Sequence, residues 1–373
     1  MKKIVKVCHL TSVHTASDVR IFHKECKTLS FNHYEVVLIA PSGHDSMVDN
    51  IKIKAIEPYK TRWERITKTT WELLQASLRV DADVYHFHDP ELIPIGILLK
   101  LIGKKVIYDV HEDYPHSIKG NDREWMPSLF RGTVASLVAM TERFGANFFS
   151  GIVAATPTIA ANFPLSKTVI VQNFPITEAF ILKNDLPYKS RPHYLVYTGA
   201  ISPLRGCREL IEAMAILNPK INVKLKLAGR FDPGEKELEM RNMPGWETVD
   251  FLGWQPNEKV AELMGQCRVG LVTLHPTESY LKSYPLKLFE YMCAGIPVVA
   301  SDFPLWREII GDAGCGLLVD PLDPVKIAEA ITWLLQNQDE SEAMGRRGKQ
   351  AVEEKYNWDI EKKKLLTFYE SLD

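Results

Sequence analysis

Short apolar runs alternate with longer amphipathic stretches along almost the whole chain, and this alternation limits the possible folds more than any other feature. The runs predict strands at residues 4–10, 35–41, 51–57, 83–89, 105–111, 151–156, 168–173, 193–199, 223–229, 248–253, 268–274, 296–302 and 315–320. Many are continuously apolar, as expected for strands covered on both faces of a parallel sheet. One helical pattern starts after the predicted N-cap Asp18, with an apolar stripe of Val19, Phe22, Cys26 and Leu29. The sequence therefore predicts doubly wound α/β layers.

A polar segment with several prolines, residues 174–192, interrupts this alternation, which restarts after it. We therefore expect two α/β domains, residues 1–185 and residues 190–356. A further helix pattern begins at Trp358. The residues alone do not decide whether this last helix packs on the second domain or crosses back to the first.

Composition excludes several classes of protein. The 45 basic and 47 acidic side chains give a net charge of −2, so no nucleic-acid partner is expected. The six cysteines stand far apart without a Cys-x-x-Cys pair, which argues against a zinc ribbon or a redox motif. The chain shows neither a signal-peptide pattern nor an apolar run of about 20 residues. We expect a cytoplasmic protein.

Two stretches leave open a peripheral contact with the inner face of the membrane. Residues 62–71 mix tryptophans with basic side chains, and residues 125–149 are apolar and amphipathic. Such segments bind anionic bilayers. The alternative is that both are helices that cover the sheet.

Polar residues that follow predicted strands are the first candidates for a site, because open α/β sheets bind ligands at the carboxyl ends of their strands. In the first domain these are His14, His88 and the pair His111–Glu112. Histidine–carboxylate clusters are possible metal ligands. The strand that carries His88 is apolar enough to favour a buried position, so we expect no metal and expect His111 to line a polar cleft.

In the second domain, Gly199 ends a strand and Arg205 lies near the start of a helix pattern. A cation at a helix N-terminus opposes the helix dipole, so Arg205 indicates a phosphate ligand. Arg230 follows the next strand and predicts a second guanidinium for a diphosphate. The alternative for both is a solvated surface arginine.

Lys287 and Glu290 lie on a predicted helix that ends at Gly295. A carboxylate at this place can accept hydrogen bonds from the two vicinal hydroxyls of a ribose. The alternative is a surface ion pair between the two side chains, which contributes only tenths of a kcal/mol.

The segment from Glu290 to Ser301 resembles glycosyltransferase family 4, whose members are retaining, nucleotide-sugar-dependent enzymes of the GT-B fold. Weaker matching blocks occur in the family's order at residues 83–86, 108–112, 197–206, 250–253, 307–310, 316–324 and 356–358. The resemblance implies two Rossmann-like domains that face each other across a cleft. Residues 1–185 would be the acceptor-side domain and residues 190–356 the nucleotide-sugar-binding domain. A C-terminal helix at about 357–373 would cross back to the first domain.

The resemblance also implies roles for individual residues. Glu290 would bind the ribose of the donor, Arg205 the diphosphate, and His111 would lie near the donor sugar. The full donor-binding set is Gly199, Arg205, Arg230, Ser283, Tyr284, Lys287 and Glu290. The catalytic candidates are His111, Arg205 and Lys287, and the acceptor-side candidates are His14, His88 and Glu112.

The chain departs from the family at two positions, because Lys282 and Ala200 stand where the family often has glutamate and arginine. For this reason Ser283, Tyr284 and Lys287 are expected to share the contact with the donor sugar. Residues 190–356, the predicted nucleotide-sugar-binding domain, contain no Asp-x-Asp motif. We expect that cationic side chains replace a divalent metal, and that the protein has no metal or other cofactor.

The resulting hypothesis is a retaining transfer of a hexosyl unit from a nucleoside diphosphate sugar to a glycan or a lipid-linked acceptor, in the synthesis of surface polysaccharide or glycoconjugate. We expect a UDP-sugar in preference to a GDP-sugar. The alternatives are a nucleotide-sugar binding protein without transferase activity, a nucleotide-sugar epimerase on the same fold, and a metal-dependent hydrolase built on the histidine clusters.

Overall fold

The computed structural model describes residues 4–119, 127–180, 186–217, 219, 221–232 and 237–372. It divides into two compact units: unit 1 is Met1–Asn173 with Trp358–Asp373, and unit 2 is Phe174–Asn357. The boundary expected near residue 185 lies outside the described residues, and the structure changes unit earlier, after Asn173. The reason is that the Phe174 ring is buried against Phe289 in the core of unit 2, with ring centroids 4.8 Å apart.

Unit 1 is built on an eight-stranded sheet in the order β3-β4-β2-β1-β5-β6-β7-β8, parallel throughout except for the pair of β3 and β4. Its strands are β1 (Lys6–Leu10), β2 (Glu35–Pro41), β3 (Ser46–Val48), β4 (Ile51–Ile56), β5 (Val84–Phe87), β6 (Lys105–Val110), β7 (Gly151–Ala154) and β8 (Thr168–Ile170). Its helices before the crossing to unit 2 are α1 (Lys27–Phe31), α2 (Arg62–Glu64), α3 (Thr70–Val80), α4 (Ile93–Leu101), α5 (Tyr114–Lys119), α6 (Ser128–Phe148) and α7 (Pro157–Ala160).

The helix predicted after Asp18 exists, but its first two turns are π-helical, over Val19–Cys26, before α1 continues it. Asp18 caps it by accepting hydrogen bonds from the backbone N–H groups of Arg20 (2.8 Å) and Ile21 (2.9 Å). The segment buries apolar residues and also Arg20 and Glu25. Charged side chains therefore enter the interior of unit 1 from this helix.

Unit 2 has a six-stranded, fully parallel sheet in the order β11-β10-β9-β12-β13-β14. Its strands are β9 (Tyr194–Thr198), β10 (Lys224–Ala228), β11 (Val249–Gly253), β12 (Val269–Val272), β13 (Val298–Ser301) and β14 (Gly316–Val319). Its helices are α8 (Cys207–Leu217), α9 (Glu237–Arg241), α10 (Asn257–Met264), α11 (Glu278–Leu281), α12 (Leu286–Cys293), α13 (Pro304–Ala313), α14 (Pro324–Gln336) and α15 (Gln338–Glu354). This strand order is that of a Rossmann-type sheet, with its switch point between β9 and β12.

The last helix, α16 (Trp358–Ser371), belongs to unit 1. At its start the Trp358 Nε1–H donates to Thr28 Oγ1 (3.0 Å). Near its end the Tyr369 hydroxyl lies 2.8 Å from His86 Nδ1. Buried polar contacts therefore attach both ends of α16 to unit 1.

Among the residues that the structure describes, no helix is both long and apolar enough to cross a bilayer. Of the two stretches predicted to contact a membrane, the first exposes Trp63 and Trp71. In the second, Trp125 lies outside the described residues, and α6 exposes Leu137 and Phe144.

Candidate functional site

Unit 2 contains a cavity of about 710 Å³ at the carboxyl ends of β9, β10, β11 and β12, where the strand order reverses. This is the place where open α/β sheets bind ligands. Its lining consists of Thr198, Gly199, Ala200, Arg205, Ala228, Gly229, Arg230, Phe231, Asp232, Trp254, Gln255, Asn257, Val260, Leu274, Tyr280, Ser283, Pro285, Leu286, Lys287 and Glu290.

Glycines form part of the cavity wall because the backbone segments approach each other too closely for side chains. A Cβ on Gly229 would lie 1.8 Å from the carbonyl oxygen of Gly199, and Gly199 itself has φ of +115°. A Cβ on Gly206, which has φ of +72°, would lie 1.9 Å from the carbonyl oxygen of Thr273. Gly199 and Gly229 therefore present bare backbone to the cavity, as phosphate sites require.

Arg205 lines the cavity, as expected, but it is not part of the following helix. It ends a short 3₁₀ turn, Pro203–Arg205, and α8 starts two residues later at Cys207. The glycine between them, Gly206, adopts a left-handed conformation and separates the two elements. The guanidinium position is therefore set by this turn rather than by the first turn of α8.

Lys287 is the most unusual group in the cavity. Its side chain is buried on α12, with Nζ 3.7 Å from the centre of the Tyr197 ring and with no hydrogen-bond partner among the described residues. Burial, followed by the nearby Arg205, lowers the pKa of Lys287 to about 7. Two basic side chains therefore face one cavity, and Lys287 Nζ has no hydrogen-bond acceptor among the described residues, which favours a ligand that carries several negative charges.

Glu290 lies one turn after Lys287 on α12 and also lines the cavity. The predicted alternative, an ion pair between Lys287 and Glu290, is not a hydrogen-bonded one, because Lys287 Nζ makes no hydrogen bond to a described residue; the charge of Glu290 still acts to raise the pKa of Lys287. Ser283 joins the lining as well, and its carbonyl oxygen accepts a hydrogen bond from Trp306 Nε1 (2.9 Å). The cavity therefore presents a carboxylate and a hydroxyl beside its cations.

Two residues that shortly precede α12 do not line the cavity. Tyr284, predicted to bind the donor, does not line the cavity; its ring packs against Phe174 and Phe289, with centroids 6.2 and 6.3 Å away. The neighbouring Lys282 is exposed and is also absent from the lining. The residue before Pro285 thus directs its side chain into the core of unit 2.

Several residues of the lining were not predicted from the sequence, including Asp232, Trp254 and Tyr280. Trp254 is 60 % exposed and lies under the predicted Arg230, whose guanidinium carbon is 5.2 Å from its ring centre. Trp254 directly follows β11, and Asp232 follows the end of β10 by a few residues. The rule that singled out Arg230, a polar residue just past a strand, would have found Asp232, and the same rule applied to aromatic residues would have found Trp254. Tyr280 lies on α11 and carries no such signal.

In unit 1, the structure brings together two of the predicted histidines. His111 Nε2 and His14 Nε2 are 3.1 Å apart, and His14 Nδ1 lies 3.2 Å from Asp18 Oδ2. Burial lowers the pKa of His111 to about 4. Burial would also lower the pKa of His14, but the carboxylates around it, led by Asp18, raise it overall. Glu112 is exposed beside this pair in sequence.

His88 is not positioned for an acceptor, because its ring is buried. Its Nδ1 donates to Asp109 Oδ2 (3.1 Å), and its Nε2 lies 3.0 Å from His9 Nδ1. Asp109 and His9 are also fully buried. The prediction that His88 faces an acceptor is therefore wrong, since the interior of unit 1 surrounds its ring.

The cavity lies within the part of the chain that matches a known family model. Residues 178–351 match the family model described as "Glycosyl transferases group 1". Phosphatidyl-myo-inositol mannosyltransferase of Mycobacterium leprae is 30 % identical over 173 residues, which are 46 % of this chain and 44 % of that protein. MMP alpha-(1->4)-mannosyltransferase of Mycolicibacterium hassiacum is 25 % identical over 182 residues, which are 48 % of this chain and 43 % of that protein. The match spans less than half the length of these relatives.

Solved structures match the whole chain. Sucrose-phosphate synthase of Thermosynechococcus elongatus has a TM-score of 0.77 at 17 % identity and covers 99 % of both chains. Anabaena Alr3699/HepE in complex with UDP has a TM-score of 0.72 at 14 % identity and covers 99 % of this chain and 100 % of that one. At these identities the likeness shows the fold, and it confirms the GT-B fold with two Rossmann-like domains.

Proposed function

We propose that this chain is a retaining glycosyltransferase of the family 4 type, which transfers a hexosyl unit from a nucleoside diphosphate sugar to a glycan or a lipid-linked acceptor in the synthesis of surface polysaccharide or glycoconjugate. One observation carries the proposal. The unit 2 cavity places the buried, unpartnered ammonium of Lys287 beside Arg205 and Glu290 at a Rossmann switch point. That combination suits a diphosphate attached to a ribose.

The donor is assigned to this cavity. Arg205 and Lys287 hold the diphosphate, the bare backbone at Gly199 lets it approach, and Glu290 accepts hydrogen bonds from the ribose hydroxyls. The match of residues 178–351 to the glycosyl transferases group 1 model, which includes Lys287 and Glu290, supports this assignment. We propose a UDP-sugar as the donor; the similarity to HepE, whose structures contain UDP and UDP-glucose, supports it.

The cations supply the catalytic effect in this proposal. During transfer the bond between the anomeric carbon and the diphosphate oxygen breaks, and the acceptor oxygen bonds to the anomeric carbon on the same face. The acceptor proton passes to the leaving phosphate oxygen. The leaving group gains negative charge as its bond breaks, and preorganised cations lower that barrier without a divalent metal. His111 is assigned to the donor sugar, and His14 and Glu112 to the acceptor.

Replacement of Arg205 by alanine tests the donor assignment. The loss of a charge-assisted hydrogen bond costs about 1.5–3 kcal/mol, so the Kd for UDP should rise about 10- to 150-fold. Turnover should fall at least as much, because the interaction strengthens as the leaving group gains charge. Arg208→Ala removes an arginine of α8 that does not line the cavity, and it should bind UDP like the wild type. Wild-type affinity and turnover in Arg205→Ala would contradict the assignment.

The products distinguish the alternatives. We expect nucleoside diphosphate release that depends on an acceptor, with the anomeric configuration of the donor retained in the product, as NMR can show. Binding without turnover over a panel of acceptors would instead indicate a nucleotide-sugar binding protein. Formation of a new nucleotide sugar without an acceptor would indicate an epimerase. Hydrolysis that stops after chelation would indicate the metal-dependent hydrolase.

We also propose that unit 1 contacts anionic membranes at the periphery. Trp63 is 78 % exposed and Trp71, about two helical turns later, is 61 % exposed, and aromatic rings of this kind insert at the bilayer interface. Co-sedimentation with anionic vesicles at low salt should be clear for the wild type. It should weaken in the variant Trp63→Ser/Trp71→Ser, whereas absence of wild-type binding would rule this contact out.

A further inference from the structure

Asp109 is a fully buried carboxylate that lies behind His111, and the proposed function gives it no role. It belongs to β6, and His111 follows the end of that strand, two residues later. Asp109 Oδ2 lies 4.0 Å from His111 Nδ1, which is buried and has no hydrogen-bond partner among the described residues. A carboxylate that faces an imidazole nitrogen favours a hydrogen on that nitrogen, because a carboxylate can only accept and two lone pairs repel each other.

Arg20 fixes this carboxylate in place. Its Nε donates to Asp109 Oδ2 (2.8 Å), and its Nη2 donates to Asp109 Oδ1 (2.9 Å). Its Nη1 donates to the carbonyl oxygen of Val171 (3.0 Å), so the guanidinium itself is held in one orientation. Burial would raise the pKa of Asp109, but Arg20, followed by His88, holds it well below its usual range. Asp109 is therefore charged, and a bidentate arginine sets its direction.

The other ring nitrogen of His111 faces His14. Their Nε2 atoms are 3.1 Å apart, so a hydrogen bond between them needs a hydrogen on only one of the two. Two carboxylates favour the hydrogen on His14, since Asp18 Oδ2 lies 3.2 Å from His14 Nδ1 and Asp89 Oδ1 lies 3.8 Å from His14 Nε2. Burial would lower the pKa of His14, but these carboxylates raise it overall, whereas burial lowers the pKa of His111 to about 4. His14 is therefore the donor, and His111 Nε2 is the acceptor.

We propose that Asp109 is a positioning residue for the transfer reaction: it keeps the hydrogen of the His111 ring on Nδ1, so that Nε2 accepts a hydrogen bond from a hydroxyl group of the donor sugar. This inference rests on the proposed function, which assigns His111 to that sugar. In the empty protein, His14 supplies the hydrogen bond that the hydroxyl group would make. Arg20 acts one step further away, because it orients Asp109.

The alternative is that Asp109 has only a structural role, as the counter-ion of the buried Arg20 and the acceptor for His88 Nδ1 (3.1 Å). The variant Asp109→Asn keeps the shape of the side chain and removes its charge. Arg20 is not left without an anion in this variant, because Glu25 Oε1 lies 3.2 Å from its Nε. The variant therefore tests the effect on His111 without creating an isolated buried cation.

The first test measures the tautomer of His111 by NMR on the full chain without ligand. Long-range ¹⁵N–¹H spectra distinguish a ring nitrogen that carries a hydrogen from one that does not, and comparison with His111→Ala identifies the signals. We expect the hydrogen on Nδ1 in the wild type at neutral pH. Asp109→Asn should shift the ratio of the two tautomers towards Nε2–H by about tenfold, because a charged partner is lost. The control Asp113→Asn removes a carboxylate that pairs with His116 Nδ1 (2.7 Å), and it should keep the wild-type ratio.

The second test is a double-mutant cycle on the turnover of UDP-glucose, measured as release of UDP. Asp109→Asn should lower kcat about tenfold, the effect expected from the loss of one positioned hydrogen bond. In the His111→Ala background the same substitution should change kcat less than about twofold, because the residue through which Asp109 acts is absent. A purely structural role would lower kcat by the same factor in both backgrounds.

Two results would overturn the inference. A wild-type His111 with its hydrogen on Nε2 would show that Asp109 does not set the tautomer, and equal losses of kcat in the two backgrounds would leave Asp109 a structural role only. If Asp109→Asn does not fold, the wild-type tautomer decides, together with Arg20→Lys, which keeps the charge but loses the bidentate contact and should shift the ratio in the same direction. If the wild type releases no UDP from UDP-glucose, the proposed donor is contradicted, whereas the NMR spectra still decide the role of Asp109.

Discussion

Lys287→Met should abolish a proton uptake that accompanies nucleotide binding. In the empty cavity Lys287 has no hydrogen-bond partner, and burial and Arg205 hold its pKa at about 7 instead of 10.5. This displacement corresponds to about 5 kcal/mol of lost stabilisation of the ammonium form. At pH 8 only about one tenth of the Lys287 side chains carry a proton in the free protein. A diphosphate beside Nζ restores the charge.

The number of protons follows from linkage. Binding of UDP should take up about 0.9 proton at pH 8 and about 0.5 proton at pH 7. Because the complex binds more protons than the free protein, affinity should fall as pH rises, by up to about tenfold per unit above pH 7. UDP itself accounts for little of this proton uptake at pH 8, since a terminal phosphate titrates near pH 6.

Calorimetry of UDP binding in buffers with different ionisation enthalpies measures this uptake directly. The slope of the observed enthalpy against the buffer enthalpy gives the number of protons. Lys287→Met should bring the slope close to zero at pH 8 and remove the pH dependence of Kd. Lys282→Met, which changes an exposed lysine outside the lining, should keep the wild-type slope. A wild-type slope near zero, or an unchanged slope in Lys287→Met, would refute the reasoning.

Two predictions concern stability. Gly206→Ala should lower the free energy of unfolding in urea by several kcal/mol, because the new Cβ would lie 1.9 Å from the carbonyl oxygen of Thr273. The control Gly253→Ala, at a residue with φ of +63° and open space around it, should cost only about 1–2 kcal/mol. Equal losses in the two variants would contradict this explanation. Glu142, buried beside the Tyr108 hydroxyl, has a pKa raised to about 7 from 4.5, so the folded state binds more protons between these values and loses stability as pH rises. Glu142→Gln should therefore raise the melting temperature at pH 8 but not at pH 4.5, and an unchanged melting temperature at pH 8 would exclude a charged Glu142 there.

The strands could be predicted because parallel strands buried on both faces leave a continuous apolar run in the sequence. One strand was missed: β3 (Ser46–Val48) is short, half exposed and antiparallel to β4. Its signal was present in the turn, since Asp49 and Asn50 both have positive φ, as a two-residue hairpin loop requires. The pattern of apolar residues does not reveal a strand such as β3, because this strand buries few of its side chains.

The cavity was predictable only in part. Gly199, Arg205, Arg230, Ser283, Lys287 and Glu290 all lie in its lining, because the ends of parallel strands converge at one edge of the sheet. The direction of the Tyr284 side chain was not predictable, since it depends on the packing of Phe174 from a distant part of the chain. In unit 1, the alternation of a strand places His86 and His88 on one face, but nothing local shows that Glu25 and Tyr369 cover that face.

The path of the chain has a consequence for the order in which the protein is made. Unit 2 is a single continuous segment, and Phe174 near its start lies against Tyr356 near its end, with ring centroids 5.4 Å apart. It can therefore fold as soon as its own residues have left the ribosome. Unit 1 begins before unit 2 but is completed after it, because Tyr369, whose hydroxyl lies 2.8 Å from Nδ1 of the buried His86, follows unit 2 in the chain. A nascent chain stalled before Trp358 would hold a completed unit 2 and an open unit 1.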